Sequence, residues 1–110
     1  MVTEKWPHFF RGLWEMELYF VYILKCADDS YYIGHTNDVE RRLLDHKAGA
    51  YTGYTSVRLP VRLIYFKDFA CRDEAFTFER QIKKWSRKKK EALINGDLQA
   101  LKMYSKKKPK

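Results

Sequence analysis

One stretch constrains the fold more than any other: Tyr19 to Cys26, YFVYILKC, is almost wholly apolar and rich in aromatic and β-branched residues. It reads as a buried strand. Asp28, Asp29 and Ser30 supply turn chemistry directly after it. Tyr31 to Thr36, YYIGHT, follows as a second strand, and the two make a hairpin. Register here has a consequence. A four-residue loop, Ala27 to Ser30, puts Tyr22 and Tyr32 on opposite faces of the hairpin. A loop of three or five residues, or one bulge, puts them on the same face.

The rest of the chain fits around this hairpin. Asn37 or Asp38 can cap a helix with an apolar stripe of Val39, Leu43 and Ala50, with Gly49 as its stop. Residues 50–60 form a polar loop, and Val61 to Phe69 a third strand. Asp73 is the expected cap of a helix running to about Trp85, and Ser86 of another ending near Asn95-Gly96. A short helical piece from Asp97 to Tyr104 follows. The order β-β-α-β-α-α predicts an α+β domain: a small three-stranded antiparallel sheet flanked by helices.

Residues 1–17 do not share this pattern. Trp6, Phe9, Phe10 and Trp14 are scattered without a period, and Met16 stands just before the first strand. The expected division is an extension at 1–17, dispensable if translation starts at Met16, a domain at 18–96, and a helical piece with a solvated lysine tail at 97–110. One domain is all that 110 residues accommodate.

The formal net charge of +8 favours a polyanionic partner, nucleic acid before an acidic membrane. No apolar run approaches the ~20 residues of a membrane-spanning helix. The N-terminus has no apolar signal core, and the two cysteines lack metal-site spacing. Free thiols in a reducing cytoplasm are therefore expected.

Three features carry chemistry. Glu79 shares a helical stripe with Ala75, Phe78, Ile82 and Trp85, where a carboxylate is costly unless a divalent cation or an arginine pairs with it; the alternative is a stripe-edge Glu that reaches solvent or a salt bridge. Arg42 and His46 are four residues apart on one face of the DVERRLLDH helix, where an arginine fork suits a phosphate; Arg41 points further from that stripe. Tyr22 and Tyr32 can end in one polar cleft, given the right register.

Taken together, VYILKCADDSYYIGHTNDVERRLLDH resembles the core of a GIY-YIG nuclease domain, in particular the small stand-alone bacterial members similar to the amino-terminal nuclease module of the excision-repair endonuclease. The second triad is intact as Tyr32-Ile33-Gly34; the first is reduced to Phe20-Val21-Tyr22. The family's arginine falls eight residues after the triad glycine, at Arg42, its next helical site residue at His46, and its metal-binding glutamate at Glu79. His35 stands where some members place a lysine.

The resemblance implies a metal-dependent endonuclease of low sequence specificity, acting on DNA more readily than RNA, with a role in repair or recombination. One Mg²⁺ or Mn²⁺ would be held by Glu79. Tyr22 would be the general base, Tyr32 and His46 would orient it, and Arg42 would stabilise the transition state. His35, Lys83, Lys84, Arg87, Lys88, Lys89 and Lys90 would contact the nucleic acid, chiefly its phosphates. The alternative is a non-catalytic nucleic-acid-binding or adaptor module, which the reduced first triad permits.

Overall fold

The structure, a computed structural model, describes residues 18–50 and 53–105. The expected extension at 1–17 and the end of the lysine tail lie outside these residues. The elements are β1 (Tyr19–Lys25), β2 (Tyr31–Thr36), α1 (Val39–Lys47), β3 (Arg62–Phe69), α2 (Arg72–Lys83), α3 (Arg87–Asn95) and α4 (Leu98–Ser105). The α+β class and the three-stranded antiparallel sheet are as expected, in the order β2-β1-β3.

Central position explains the sequence of β1. Val21 to Leu24 are all buried, with no alternation, because both faces of the sheet are covered. On one face Tyr22, Leu24, Cys26 and Val61 pack with Tyr32, Leu43 of α1 and Leu63. On the other, Val21, Ile23 and Ile33 pack against Ala75 and Ile82 of α2, flanked by Phe78, Trp85 and Leu93. Truncating Ile23, Leu24 or Ile82, each fully buried, to alanine should cost about 2–5 kcal/mol.

The hairpin settles the register. The Cys26 N–H donates to Ser30 O at 2.9 Å and the Asp29 N–H to Cys26 O at 2.9 Å. Asp29 takes φ 75, the left-handed conformation that closes a three-residue loop. The ladder then pairs Tyr22 with Gly34 and Leu24 with Tyr32. Tyr22 and Tyr32 therefore leave the sheet on the same face.

The caps expected at Asp38 and Ser86 are made, and Asp97 caps a third helix. Asp38 accepts from Arg41 N–H at 3.0 Å, Ser86 from Lys89 N–H at 3.2 Å, and Asp97 from Ala100 N–H at 3.0 Å. Gly96 ends α3 at φ 70. The expected cap at Asp73 is corrected: α2 starts after Cys71, which makes no side-chain cap bond. Asp73 and Glu74 lie inside the first turn, where their charge meets the positive end of the helix. The helix also stops at Lys83, short of Trp85, because Ser86 must be extended (ψ 162) to cap α3.

Candidate active site

Two groups of side chains flank the edge strand β2. The first is on the α1 face. Tyr22, 1% exposed, reaches from the central strand across to its partner Gly34. A Cβ on Gly34 would stand 2.7 Å from the Tyr22 hydroxyl oxygen, so the triad glycine is the only residue that leaves room for the phenol. That hydroxyl lies 3.1 Å from His46 Nε2, and His46 Nδ1 lies 2.8 Å from Thr55 Oγ1, all three groups being buried.

Burial lowers the pKa of His46, and the nearby Arg42 charge lowers it further against the weaker pull of Asp45. The imidazole is thus held neutral, with one donor and one acceptor nitrogen. If Nδ1–H donates to Thr55, Nε2 accepts from the Tyr22 hydroxyl, which is the tautomer a base role for Tyr22 requires. Tyr32 packs on His46 with ring centroids 5.1 Å apart and on Tyr54 at 6.2 Å. Arg58 caps the outer face of Tyr54 at 3.8 Å.

The second group is on the α2 face. Val21 pairs with His35, so His35 leaves the sheet opposite to Tyr22. There its Nδ1 lies 2.5 Å from Glu79 Oε1, while Lys83 Nζ lies 2.6 Å from Oε2. Glu79 is 5% exposed between fully buried Ala75 and Ile82, as the stripe predicted. The expected cost of burying this carboxylate is met by a lysine and a histidine rather than by an arginine.

The remaining expected contacts divide. His35 and Lys83, read from the sequence as nucleic-acid contacts, both close on Glu79. Lys84 and Lys88 are exposed. Arg87 pairs with Glu91 at 3.2 Å and sits 4.2 Å over Tyr31. Lys89 lies 4.0 Å over Trp85, and Lys90 is half-buried, its pKa lowered by burial and by Arg87. Arg42 is half-buried one turn before His46, whereas Arg41 is exposed and pairs with Asp45 at 3.8 Å.

Sequence reasoning missed Thr55. It lies in the polar loop, and no local pattern marks it. Its place is fixed at a distance: Arg58 binds Asp28 in the hairpin turn at 3.0 Å, and Arg58 N–H donates to Thr55 O at 3.0 Å. The functional reading of Gly34 was available only through the triad.

The donor set bears on a metal. Among the described residues no group of three or more His, Cys, Asp and Glu converges. An all-protein metal cage is therefore not built from them. A single carboxylate does suit Mg²⁺, which keeps several waters and takes phosphate oxygens as ligands. Glu79 fits that role.

Comparison with known proteins gives the family. A model of the GIY-YIG catalytic domain matches residues 18–92. A UPF0213 protein of Listeria monocytogenes serotype 4b is 49% identical over 76 residues, covering 69% of this chain and 85% of the relative. A UPF0213 protein of Bacillus pumilus is 45% identical over 80 residues, 73% of this chain and 82% of the relative. The solution NMR structure of an E. faecalis protein superposes with a TM-score of 0.51 at 33% identity, over 84% of this chain and 95% of that one. The family match runs through the whole sheet, the Tyr32-Ile33-Gly34 triad, the Arg42–His46 helix and Glu79, and on it this chain belongs to the GIY-YIG catalytic domain family.

Proposed function

We propose that the protein is a metal-dependent endonuclease that hydrolyses phosphodiester bonds with little sequence preference, on DNA more readily than RNA and in a repair or recombination setting. The observation that carries this reading is the buried Tyr22–His46 pair held over Gly34. Two polar side chains fixed in a core add little stability over an apolar pair, but they preorganise a proton acceptor.

In this reading the scissile phosphate sits at the Gly34–His35 step of the edge strand. The Tyr22 hydroxyl takes a proton from the attacking water as its own passes to His46 Nε2. Thr55 keeps the imidazole in the required tautomer. Arg42, on the same helix face as His46, stabilises the added negative charge on the phosphorus. Tyr32, wedged between His46 and Tyr54, holds the ring stack. A dication at Glu79 would supply charge stabilisation at the phosphate and the leaving oxygen.

The test is a cleavage panel: plasmid, single-stranded and branched DNA, with Mg²⁺, Mn²⁺ or EDTA, for the wild type, Tyr22→Phe and Glu79→Gln. Cutting that requires metal and both side chains is the expected result. One observation favours the adaptor reading: both oxygens of Glu79 are already engaged, by His35 and Lys83. Binding of every substrate with no cutting under any metal would establish that reading and discard the nuclease.

A further inference from the structure

The outer face of α2 carries a row of residues that the cleavage chemistry does not use. Phe76, Arg80 and Lys84 follow one another at four-residue spacing, so they line up along the helix beside the Glu79–Lys83 row. Phe76 is 45% exposed. Its ring meets the edge of His35 at 5.5 Å, and His35 is itself bonded to Glu79. Arg80 lies 5.6 Å over the same ring. Beyond Arg80 the row opens into a cleft of ≈ 510 Å³ between α2 and the start of α3, lined by Thr77, Arg80, Gln81, Lys84, Trp85 and Lys89.

From these positions we infer that the α2 face is a track for a single polynucleotide strand leaving the cut site, and that the substrate therefore has unpaired nucleotides next to the scissile phosphate. This deepens the nuclease reading above and rests on it for the position of the cut. The chemistry is that of single-strand recognition: an exposed aromatic ring on which a base of any identity stacks, followed by cations spaced along the backbone. Phe76 supplies the face next to His35 and Glu79. Arg80 and Lys84 supply the cations, and the cleft beyond them is of nucleotide size, with Gln81 and Thr77 as polar partners. Bases locked in a duplex do not offer their faces to Phe76, so a blunt helix gains only the charge contribution. An isolated exposed phenylalanine needs no explanation. What distinguishes this one is its place at the head of a cationic row that begins at the buried carboxylate.

Fluorescence anisotropy in EDTA tests the track without any cleavage, using single-stranded DNA, single-stranded RNA and a blunt DNA duplex of equal length. Wild-type protein should bind at least one single strand more tightly than the duplex, and the preferred single strand names the sugar. Phe76→Ala should weaken single-strand binding about ten-fold, the scale of one lost stacking contact, and leave duplex binding nearly unchanged. Phe76→Tyr should restore it, which a folding defect in Phe76→Ala would not predict. Lys84→Ala should weaken all three ligands and reduce the salt slope by about one ion. Equal affinity of wild type for duplex and single strands, or single-strand binding by Phe76→Ala at the wild-type level, would overturn the track. Neither result touches the nuclease reading, which stands or falls on cleavage by wild type and Glu79→Gln in Mn²⁺.

Discussion

The two sides of strand β2 solve the burial of polar groups in different ways. On the α1 side Tyr22, His46 and Thr55 are neutral, buried and hydrogen-bonded in series, each located by packing from a different element. On the α2 side Glu79 is equally buried but charged, and one of its partners, Lys83, is 53% exposed on a flexible stem. The first arrangement is closed: removing any member leaves a buried group unsatisfied. The second is exchangeable, because a lysine ammonium near solvent can be replaced by another cation at modest cost. The proposed hydrolysis would use both properties, a rigid proton acceptor and a carboxylate ready to accept a dication.

Glu79→Gln tests the charged side hardest. It keeps the shape and removes the charge that both His35 and Lys83 engage. Metal-dependent cleavage should fall to the blank, and binding of nucleic acid in EDTA should remain. Since the carboxylate is paired, stability should fall too, by roughly 1 kcal/mol, or about 4–8 °C in melting temperature. Full cleavage by this variant would leave the α2 side purely structural.

Next in size is the contrast between neighbours on α1. Arg42→Ala should reduce cleavage about 10²-fold or more, the usual loss for a transition-state donor. Arg41→Ala, exposed and paired only across the helix surface with Asp45, should have far less effect. Matching losses at the two positions would remove the assignment of a catalytic face to this helix.

Gly34→Ala probes the rigidity of the neutral side. The new methyl must displace the Tyr22 hydroxyl, 2.7 Å from where the Cβ would stand, and with it the bond to His46. Overpacking of this kind costs about 1–3 kcal/mol, and misplacing the base should slow cleavage by up to about 10²-fold. Denaturant melts and rates near those of wild type would mean that the pocket is softer than the contrast requires.

The smallest effect is on stability against pH. His46 has a folded pKa below its unfolded value of about 6.5. Between the two values the unfolded chain binds more protons, so stability rises with pH through this window and is lost as pH falls below about 6.5. Urea melts at pH 7 and pH 5.5 should show this loss in wild type and a smaller one in His46→Gln. The same slope in both proteins would place the proton uptake elsewhere.

Much of this was legible in the chain because it is local. The apolar run of β1, the caps at Asp38 and Ser86, and the placement of Arg42 with His46 all depend on residues within a few positions of each other. So does the position of Glu79 on the buried stripe of α2, fixed by a 3.6-residue period. The triad glycine could be placed by spacing, though not explained by it.

What only the tertiary structure decided depends on contacts distant in sequence. Register turned on one backbone choice, the left-handed Asp29, which the residues Asp28-Asp29-Ser30 allow but do not force. That choice decided which side chains share a face: Tyr22 with Tyr32, and His35 with Glu79 rather than with the phenol. Thr55 reached His46 through a loop anchored by Arg58 to the hairpin turn, 30 residues apart in the chain. Side-chain periodicity tells a residue which way it points from its own element. Which partner waits there is set by how separate elements pack, and no spacing within one segment encodes it.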